Sequence, residues 1–256
     1  MQKTKKLKKL VVANWKMNPK TNAEALTILK ETLKGANTAV DVTVCPPFLF
    51  LSLLAKIKLK KGITLGLQNV SEFEEGAHTG EVSVLMGKNF PISYVIVGHS
   101  ERRAMGESDE VVAKKVLAVK KAKLTPIVCI GEHERDQHGL YLDAIKKQLL
   151  ASLALLPKAA IKEIVVAYEP IWAIGKSASE AMDGHTLHQT SLLIRKILIE
   201  QFGSGAKETR ILYGGAVAPE NAALLVKEGE VDGLLVGHQS LKPKAFGEII
   251  MGVSHA

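Results

Sequence analysis

Cysteine is scarce in this sequence, which has only Cys45 and Cys129 among its 256 residues. Two cysteines cannot build the disulfide framework that stabilises many small secreted domains. Both lie inside apolar runs, VTVCPP and PIVCIG, and free cysteines are among the most buried residues of globular proteins. We therefore expect two buried, reduced thiols.

Long hydrophobic runs are also missing. A membrane helix needs ~18 or more consecutive apolar residues, and no run in this sequence approaches that length. The lysine-rich start of the chain is followed by an apolar run from Leu10 to Ala13, which is too short for the ~7–15-residue core of a signal peptide. These absences predict a cytoplasmic location and no membrane among the partners.

Aromatic residues make up only 5% of the chain, although the chain is basic, with a formal net charge of +8. Positive charge of this size suits nucleic acid, a membrane surface or a small anion. No basic stretch is interleaved with aromatic residues that would stack on bases, so we expect no nucleic-acid partner. Five lysines lie in the first ten positions, so part of the excess is a basic tail, and a small anionic substrate remains open.

Eight short runs rich in β-branched and aliphatic residues recur along the chain. Each is apolar nearly throughout, which is typical of strands buried on both faces of a parallel sheet. Amphipathic stretches of helical length lie between them. Thr21 with Glu24, and Ser177 with Glu180, fit capping boxes that would begin two of these helices. The eight runs are LVVANWK from Leu10, DVTVCPP from Asp41, ITLGLQN from Ile63, SYVIVGHSE from Ser93, TPIVCIGE from Thr125, EIVVAYEP from Glu163, TRILYGGAV from Thr209 and VDGLLVGH from Val231.

Eight strands that alternate with helices form either a closed (β/α)8 barrel or a doubly wound open sheet. The length of 256 residues suits the barrel, which typically needs ~250 residues. No Gly- or Pro-rich linker and no low-complexity segment divides the chain, so we expect one α/β domain over residues 1–256.

Polar or small residues follow most of the apolar runs. In a barrel, the carboxyl ends of all strands meet on one face, where active sites lie, whereas an open sheet gathers only some of them. A barrel would therefore bring together residues that are far apart in the sequence. These residues are Asn14, Lys16, Gln68, Asn69, His99 to Arg103, Glu132, Glu169, Gly214, Gly215, Gly237 and His238.

Four of these strand ends carry longer motifs: NWKMN after the first strand, GHSERR after the fourth, AYEPIWAIG after the sixth and YGGAV after the seventh. In this order they closely resemble the motifs of the triosephosphate isomerase family, and the resemblance covers essentially the whole chain. It implies a single-domain (β/α)8 TIM barrel. It also implies an intramolecular aldose–ketose isomerase of glycolysis and gluconeogenesis, which interconverts D-glyceraldehyde 3-phosphate and dihydroxyacetone phosphate by enediolate proton transfer.

The resemblance assigns catalytic roles to five residues. Glu169, the glutamate of YEP, would be the base. His99, the histidine of GHSER, would be a neutral electrophile that donates a hydrogen bond to the carbonyl oxygen, and the family is itself a standard example of this pairing. Lys16, the lysine of NWK, would stabilise the enediolate and attract the phosphate. Asn14 would add a hydrogen bond to the same oxygens, and Glu101 would support Lys16.

The proton-transfer reaction requires groups of these types, whichever family of enzymes performs it. A carbon acid of very high pKa needs a base held at close range, and its developing oxyanion must be stabilised in a dry pocket. Taken singly, Glu169, Lys16 and His99 could be a salt-bridged carboxylate, a surface lysine and a core histidine. Found together in these motifs, they indicate one active site.

The expected phosphate site departs from the family pattern at three places. The family's lid loop usually reads WAIGTGK, whereas Lys176 here follows Gly175 directly, which makes the loop two residues shorter. Ala216 replaces the serine of YGGS, and His238 follows Gly237 where the family usually has a second glycine. The residues expected to bind the substrate are Asn14, Lys16, Gly175, Ala216, Gly237 and His238.

The reaction implied by the resemblance needs neither a metal nor an organic cofactor. His185 and His188 have helical i, i+3 spacing and could coordinate a metal ion. No third ligand of matching context accompanies them, and metal sites demand three or four ligands, so we expect a solvated helix face there.

Residues 69–81 form a long polar segment with two glycines. In the family, this loop enters a neighbouring subunit and places a threonine, here Thr79, beside that subunit's catalytic face. The resemblance therefore implies a homodimer through residues 69–81, although His78 stands where the family usually has an aromatic residue. A flexible surface loop is the alternative.

Two other functions stay open at this stage. One is a catalytically weakened paralogue that binds sugar phosphate or a protein partner. The other is a different phosphate-binding barrel enzyme, such as an epimerase or an indole-glycerol-phosphate synthase. The joint occurrence of NWK, HSER and YEP argues against this last possibility.

Overall fold

Eight parallel strands close into a barrel in the computed structural model of the chain, which describes residues 7–36, 39–177 and 180–256. Each strand pairs with the next, and β8 pairs with β1, so that no edge is left open. This closure confirms the predicted barrel and rules out the open sheet. The strands are β1 (Leu10–Asn14), β2 (Asp41–Cys45), β3 (Ile63–Leu67), β4 (Ile92–Val97), β5 (Thr125–Ile130), β6 (Val165–Tyr168), β7 (Arg210–Tyr213) and β8 (Gly233–Val236).

Helices cover the outside of the barrel and return the chain from the carboxyl end of one strand to the amino end of the next. Among the described residues, no helix is long and apolar enough to cross a bilayer. The helices are α1 (Asn22–Gly35), α2 (Phe48–Leu54), α3 (Val84–Gly87), α4 (Ser100–Ala104), α5 (Asp109–Lys121), α6 (Leu140–Ser152), α7 (Gly184–Phe202), α8 (Pro219–Glu228) and α9 (Pro243–His255).

The strands are apolar throughout because both of their faces are covered. Inward-pointing side chains such as Val12 and Ile96 fill the barrel, while alternate side chains such as Val11 pack beneath the helices. Cys45 and Cys129 belong to the inner cluster and are free thiols, which confirms the expectation drawn from their apolar surroundings.

Closure of the barrel depends on a glycine. Gly233 begins β8 with a φ of +150°, and a Cβ at this position would lie 1.8 Å from the carbonyl oxygen of Leu10 on β1. No side chain can occupy that space, so only glycine lets the last strand approach the first.

Helix starts follow the predicted capping chemistry in one case and not in the other. Thr21 caps α1, and the reciprocal bond from Glu24 completes the capping box, as predicted. The prediction for Ser177 and Glu180 was wrong, because α7 begins only at Gly184 with Asp183 as its cap. The Ser177 hydroxyl does donate to Glu180 at 2.7 Å, but the pair closes a local turn in the loop above the barrel.

Candidate active site

A cavity of about 410 Å³ lies where the carboxyl ends of the strands meet. Residues from both ends of the sequence converge on it. Its walls include the predicted residues Asn14, Lys16, His99, Glu169, Gly175, Ala216, Gly237 and His238. The remaining predicted residue, Glu101, lies beside the cavity and contacts Lys16.

Lys16 follows β1 in a strained backbone conformation. Its φ is +52°, a region that costs a residue other than glycine about 1–3 kcal/mol unless its neighbours hold it there. The Lys16 N–H donates to Asn14 Oδ1 at 3.0 Å, and the Lys16 carbonyl accepts from Gln68 Nε2 at 2.9 Å. Its ammonium lies 2.5 Å from Glu101 Oε1. The strain is thus compensated on both sides of the residue, and the head group is directed by a carboxylate.

Gln68 also donates to the Cys45 carbonyl at 2.8 Å, so one amide joins the ends of β1, β2 and β3. In the sequence it stands out only as a polar residue after an apolar run. Nothing in its immediate surroundings indicates that it holds the backbone of a lysine 52 positions earlier.

His99 is buried at the end of β4 and forms the N-cap of α4. Its Nδ1 accepts a hydrogen bond from the Glu101 N–H at 3.1 Å. A ring nitrogen that accepts cannot carry a proton, so the neutral imidazole bears its hydrogen on Nε2. That nitrogen lies 3.3 Å from Glu169 Oε1. The short helix therefore fixes which side of the ring presents a donor to the cavity.

Glu169 directly follows β6 and is only 2% exposed. Its Oε2 accepts a hydrogen bond from the Ser100 N–H at 3.2 Å. Its backbone N–H donates to Ile130 at 2.7 Å, which brings the chain hard against β5. A Cβ at Gly131 would lie 1.8 Å from the Glu169 carbonyl oxygen, so glycine is needed for this approach. Ser100 is a contact that sequence reasoning missed, although it lies inside the GHSERR motif.

The floor beneath the carboxylate is neutral. Burial, and after it the nearby charge of Glu169, raises the pKa of the Cys129 thiol well above its usual range. The thiol therefore stays protonated at neutral pH.

A buried hydrogen-bond network fixes the segment that follows β6. Glu132 Oε1 accepts from the Tyr168 hydroxyl at 2.8 Å, from the Trp172 indole N–H at 3.0 Å and from Arg135 Nε at 3.0 Å. Burial, and then the charge of Glu132, raises the pKa of Tyr168, so its hydroxyl remains a donor. Sequence reasoning noted Glu132 only as a strand end and missed Arg135, whose guanidinium also lies over the Trp172 ring.

The four expected phosphate-binding residues surround one side of the cavity. Gly175 has a φ of +77° with open space where a side chain would begin, and Ala216 is almost fully buried. Gly237 packs against Lys16, whose Cε would lie 3.3 Å from an added Cβ. His238 is exposed at the rim.

The described residues contain no group of three or more His, Cys, Asp or Glu side chains that could hold a metal ion. His188 lies 3.8 Å from Glu230 Oε2 on a partly exposed surface.

Residues 69–81 fold back on themselves. The Ser71 N–H donates to the Val82 carbonyl at 2.8 Å, and the rings of Phe73 and His78 stack with centroids 3.9 Å apart and planes 5° from parallel. His78 thus keeps a flat ring at the position where the family usually has an aromatic residue. Thr79, the next residue, is exposed.

The closed barrel and the buried carboxylate–imidazole pair define a (β/α)8 barrel enzyme of the acid–base type. A sequence model of the family described as triosephosphate isomerase matches residues 9–253. The chain belongs to the triosephosphate isomerase family.

Similar proteins, each named triosephosphate isomerase, come from several bacteria. The protein of Alkaliphilus oremlandii (strain OhILAs) is 42% identical over 248 residues, which cover 95% of this chain and 98% of the relative. The protein of Dictyoglomus thermophilum is 40% identical over 248 residues, and that of Herminiimonas arsenicoxydans is 41% identical over 247 residues, both with the same coverage.

Replacing Gln68 with methionine, which has a similar shape but no donor, should lower kcat/KM about 10-fold. The Lys16 carbonyl would lose the Gln68 donor, while the Cys45 carbonyl would keep the Trp15 N–H. An unsatisfied acceptor costs about 1–3 kcal/mol. The strained backbone of Lys16 would then relax and move its ammonium. Steady-state isomerase kinetics measure the effect, with Gln201→Met on an exposed position of α7 as the control. Equal kcat/KM for both variants would show that Gln68 does not position Lys16.

Proposed function

We propose that this chain is an isomerase that interconverts D-glyceraldehyde 3-phosphate and dihydroxyacetone phosphate in glycolysis and gluconeogenesis. One observation carries the proposal. The Glu169 carboxylate faces His99 Nε2 at 3.3 Å in a cavity that the Lys16 side chain also lines. A base, a neutral donor and a cation therefore converge on a space large enough for a three-carbon sugar phosphate.

Glu169 is the proposed base. It removes a proton from the carbon beside the carbonyl and returns it to the neighbouring carbon, so one carboxylate performs both transfers. Its Oε2 accepts a hydrogen bond from the Ser100 N–H. The carboxylate must give up this neutral bond to reach the substrate carbon. Its burial at 2% exposure keeps water away, so the base remains poorly solvated and reactive.

His99 and Lys16 are the proposed groups that stabilise the enediolate. The Nε2–H of His99 points into the cavity because Nδ1 is occupied by the Glu101 N–H. The Lys16 ammonium supplies positive charge where the oxyanion and the phosphate accumulate negative charge. Asn14 Oδ1 holds the Lys16 backbone, which leaves its amide nitrogen for the substrate oxygens.

The alternative of a catalytically weakened paralogue gains no support from the site, since every proposed catalytic side chain lies on or beside the same cavity.

We also propose the cytoplasm as the location. Both cysteines are free thiols, as is usual for proteins of a reducing compartment.

Glu169→Asp should lower kcat about 100-fold with substrate binding largely kept, because the shorter side chain withdraws the carboxylate by about 1 Å from the reacting carbon. The measurement is a coupled isomerase assay on the purified protein. Glu208→Asp, at an exposed position remote from the cavity, is the matched control and should leave kcat unchanged. A Glu169→Asp enzyme within a factor of two of wild type would remove Glu169 from the role of base.

We propose that the substrate phosphate binds beside Gly175, Ala216, Gly237 and His238. Backbone N–H groups of this region can bind an anion whatever the side chain. Ala216 lacks the hydroxyl contact of the family's serine, while a protonated His238 can supply a charge-assisted hydrogen bond.

The shorter lid covers the enediolate less completely. An exposed enediolate expels its phosphate and forms methylglyoxal instead of regaining a proton.

The expected consequence is a raised KM and a measurable release of inorganic phosphate during turnover. Inserting Thr-Gly after Gly175 should lower both, because a longer lid excludes water better. Phosphate release is followed beside isomerisation for the two proteins. The same insertion after Gly203, in an exposed connection, is the control. If the lid insertion changes neither quantity, the shorter loop is neutral.

We further propose a two-fold symmetric homodimer built through residues 69–81. A second cavity of about 410 Å³ borders the site, and large apolar side chains stand exposed around it. Met17, Leu49 and Met105 are 93%, 87% and 72% exposed. Apolar surface of this kind marks protein–protein contacts, and the compact loop that carries Thr79 is the element proposed to cover it in the partner.

Light scattering should give twice the 27.7 kDa mass of one chain. Thr79→Arg should produce monomers with reduced activity, because the bulky charge cannot enter the partner's cavity and the catalytic face loses its cover. Thr27→Arg on the exposed face of α1 should remain dimeric. A wild-type protein that is a stable and fully active monomer would contradict the dimer.

A further inference from the structure

A group of lysines lies at the end of the barrel opposite the active site. Because all strands are parallel, the connections that precede them lie together at their amino ends. Three neighbouring connections, residues 55–62 before β3, 88–91 before β4 and 122–124 before β5, contain lysines and no acidic residue. Their six lysines, called the lysine face from here on, are Lys56, Lys58, Lys60, Lys61, Lys88 and Lys123.

All six side chains of the lysine face are available to a partner. Each residue is exposed, and none takes part in an ion pair within residues 7–36, 39–177 and 180–256. The neighbouring Lys120 shows the contrast, because its ammonium lies 2.6 Å from the Glu163 carboxylate. The lysine face therefore presents uncompensated positive charge.

Helix capping accounts for Lys88, which is the C-cap residue of α3, but not for the four lysines that follow α2. Cations favour the last turn of a helix, but the last turn of α2 has no basic residue, and Lys56 to Lys61 come after that helix has ended. Lys123 has a φ of +61°, just beyond the end of α5. Glycine is the favoured residue at such a position, so lysine is present despite a backbone cost.

The charge is also one-sided. The connections before β7 and β8 at the same end of the barrel carry Glu208, Glu230 and Asp232 as well as Lys207. Negative charge prevails beneath β7 and β8, whereas positive charge prevails beneath β3 to β5, with further lysines before β1 (Lys8 and Lys9) and before β6 (Lys158 and Lys162). This asymmetry would orient the protein on an anionic partner.

We propose that the lysine face docks on an anionic lipid surface. Lysine carries a point charge on a flexible stem, whereas base recognition uses arginine forks and stacked aromatic rings, and the lysine face has no arginine. Adjacent connections at one end of a barrel lie side by side, so a planar array of headgroups can meet all of them at once. A nucleic-acid duplex would contact only a strip.

A lipid surface departs from the partners expected from the sequence, where the absence of a membrane-length apolar run predicted no membrane. A contact made through charge requires no apolar segment. The catalytic cavity lies at the carboxyl ends of the strands, and docking through the amino ends leaves it open to the solution. A docked molecule would keep its access to small substrates.

The test is co-sedimentation of the purified full-length protein with vesicles. Binding is expected to vesicles of equal parts phosphatidylcholine and phosphatidylglycerol, but not to phosphatidylcholine alone. It should be lost at ~1 M salt, where charges are screened beyond about 3 Å. The combined variant Lys56→Gln, Lys58→Gln, Lys60→Gln and Lys61→Gln should bind at least about 100-fold more weakly, since each lysine near such a surface contributes severalfold.

The matched control removes four exposed lysines from other parts of the outer helices: Lys30→Gln, Lys146→Gln, Lys147→Gln and Lys244→Gln. It should bind vesicles nearly as well as wild type, and both variants should keep isomerase activity, which shows that they are folded. Equal losses in the two variants, or equal binding to neutral vesicles, would overturn the proposal. Salt-resistant binding to transfer RNA without vesicle binding would overturn it in favour of a nucleic acid.

Discussion

Burial of the Glu169 carboxylate is the constraint on which the rest of the site depends. A buried charge without partners costs several kcal/mol, so hydrogen-bond donors must be supplied from nearby elements. They come from a different part of the barrel, because Ser100 N–H and His99 Nε2 follow β4 while Glu169 follows β6. The Glu169 carboxylate can be buried with these partners only if the two strand ends share one face. The burial of this carboxylate, and the chemistry that depends on it, therefore require the closed barrel.

The site holds its charges in pairs that a substrate can separate. Glu101 balances Lys16, and the donors from α4 balance Glu169. In each pair, one group already faces the cavity. The side chains therefore need little rearrangement when an anion enters. The rigid parts lie behind the pairs: Gln68 holds the backbone of Lys16, and the Glu101 N–H fixes the ring of His99. Preorganisation of this kind is what electrostatic stabilisation of a transition state requires.

The sequence predicts the repeated parts of the structure and misses the unique ones. Eight apolar runs became eight strands because burial on both faces demands the same composition every time. The close approaches at Gly131 and Gly233 were not predictable, since each depends on a carbonyl oxygen from a distant strand. Ser177 failed as a helix start because hydrogen bonds available in a local turn compete with those of a cap.

The candidate site shows the same division. Its chemical groups stand in recognisable motifs, so the sequence indicates them directly. The residues that hold these groups in place do not stand in such motifs. Gln68 donates to a backbone carbonyl. Arg135 donates to Glu132, Tyr168 and Thr190 from a loop without a distinctive pattern. Support contacts are specified by geometry rather than by residue type, and several residue types could provide them.

The two ends of the barrel can therefore carry separate functions. A five-residue strand such as β1 spans about 17 Å, whereas charges in physiological salt are screened beyond about 8 Å. The lysine face at the amino ends contributes little to the field in the catalytic cavity, which Lys16 and Lys176 both line. Conversely, a change in the loops at the carboxyl ends leaves the charge at the opposite end intact. Because the exposed lysines lie in salt solution that screens their charge, a surface suited to an anionic partner can exist without altering the proton-transfer site.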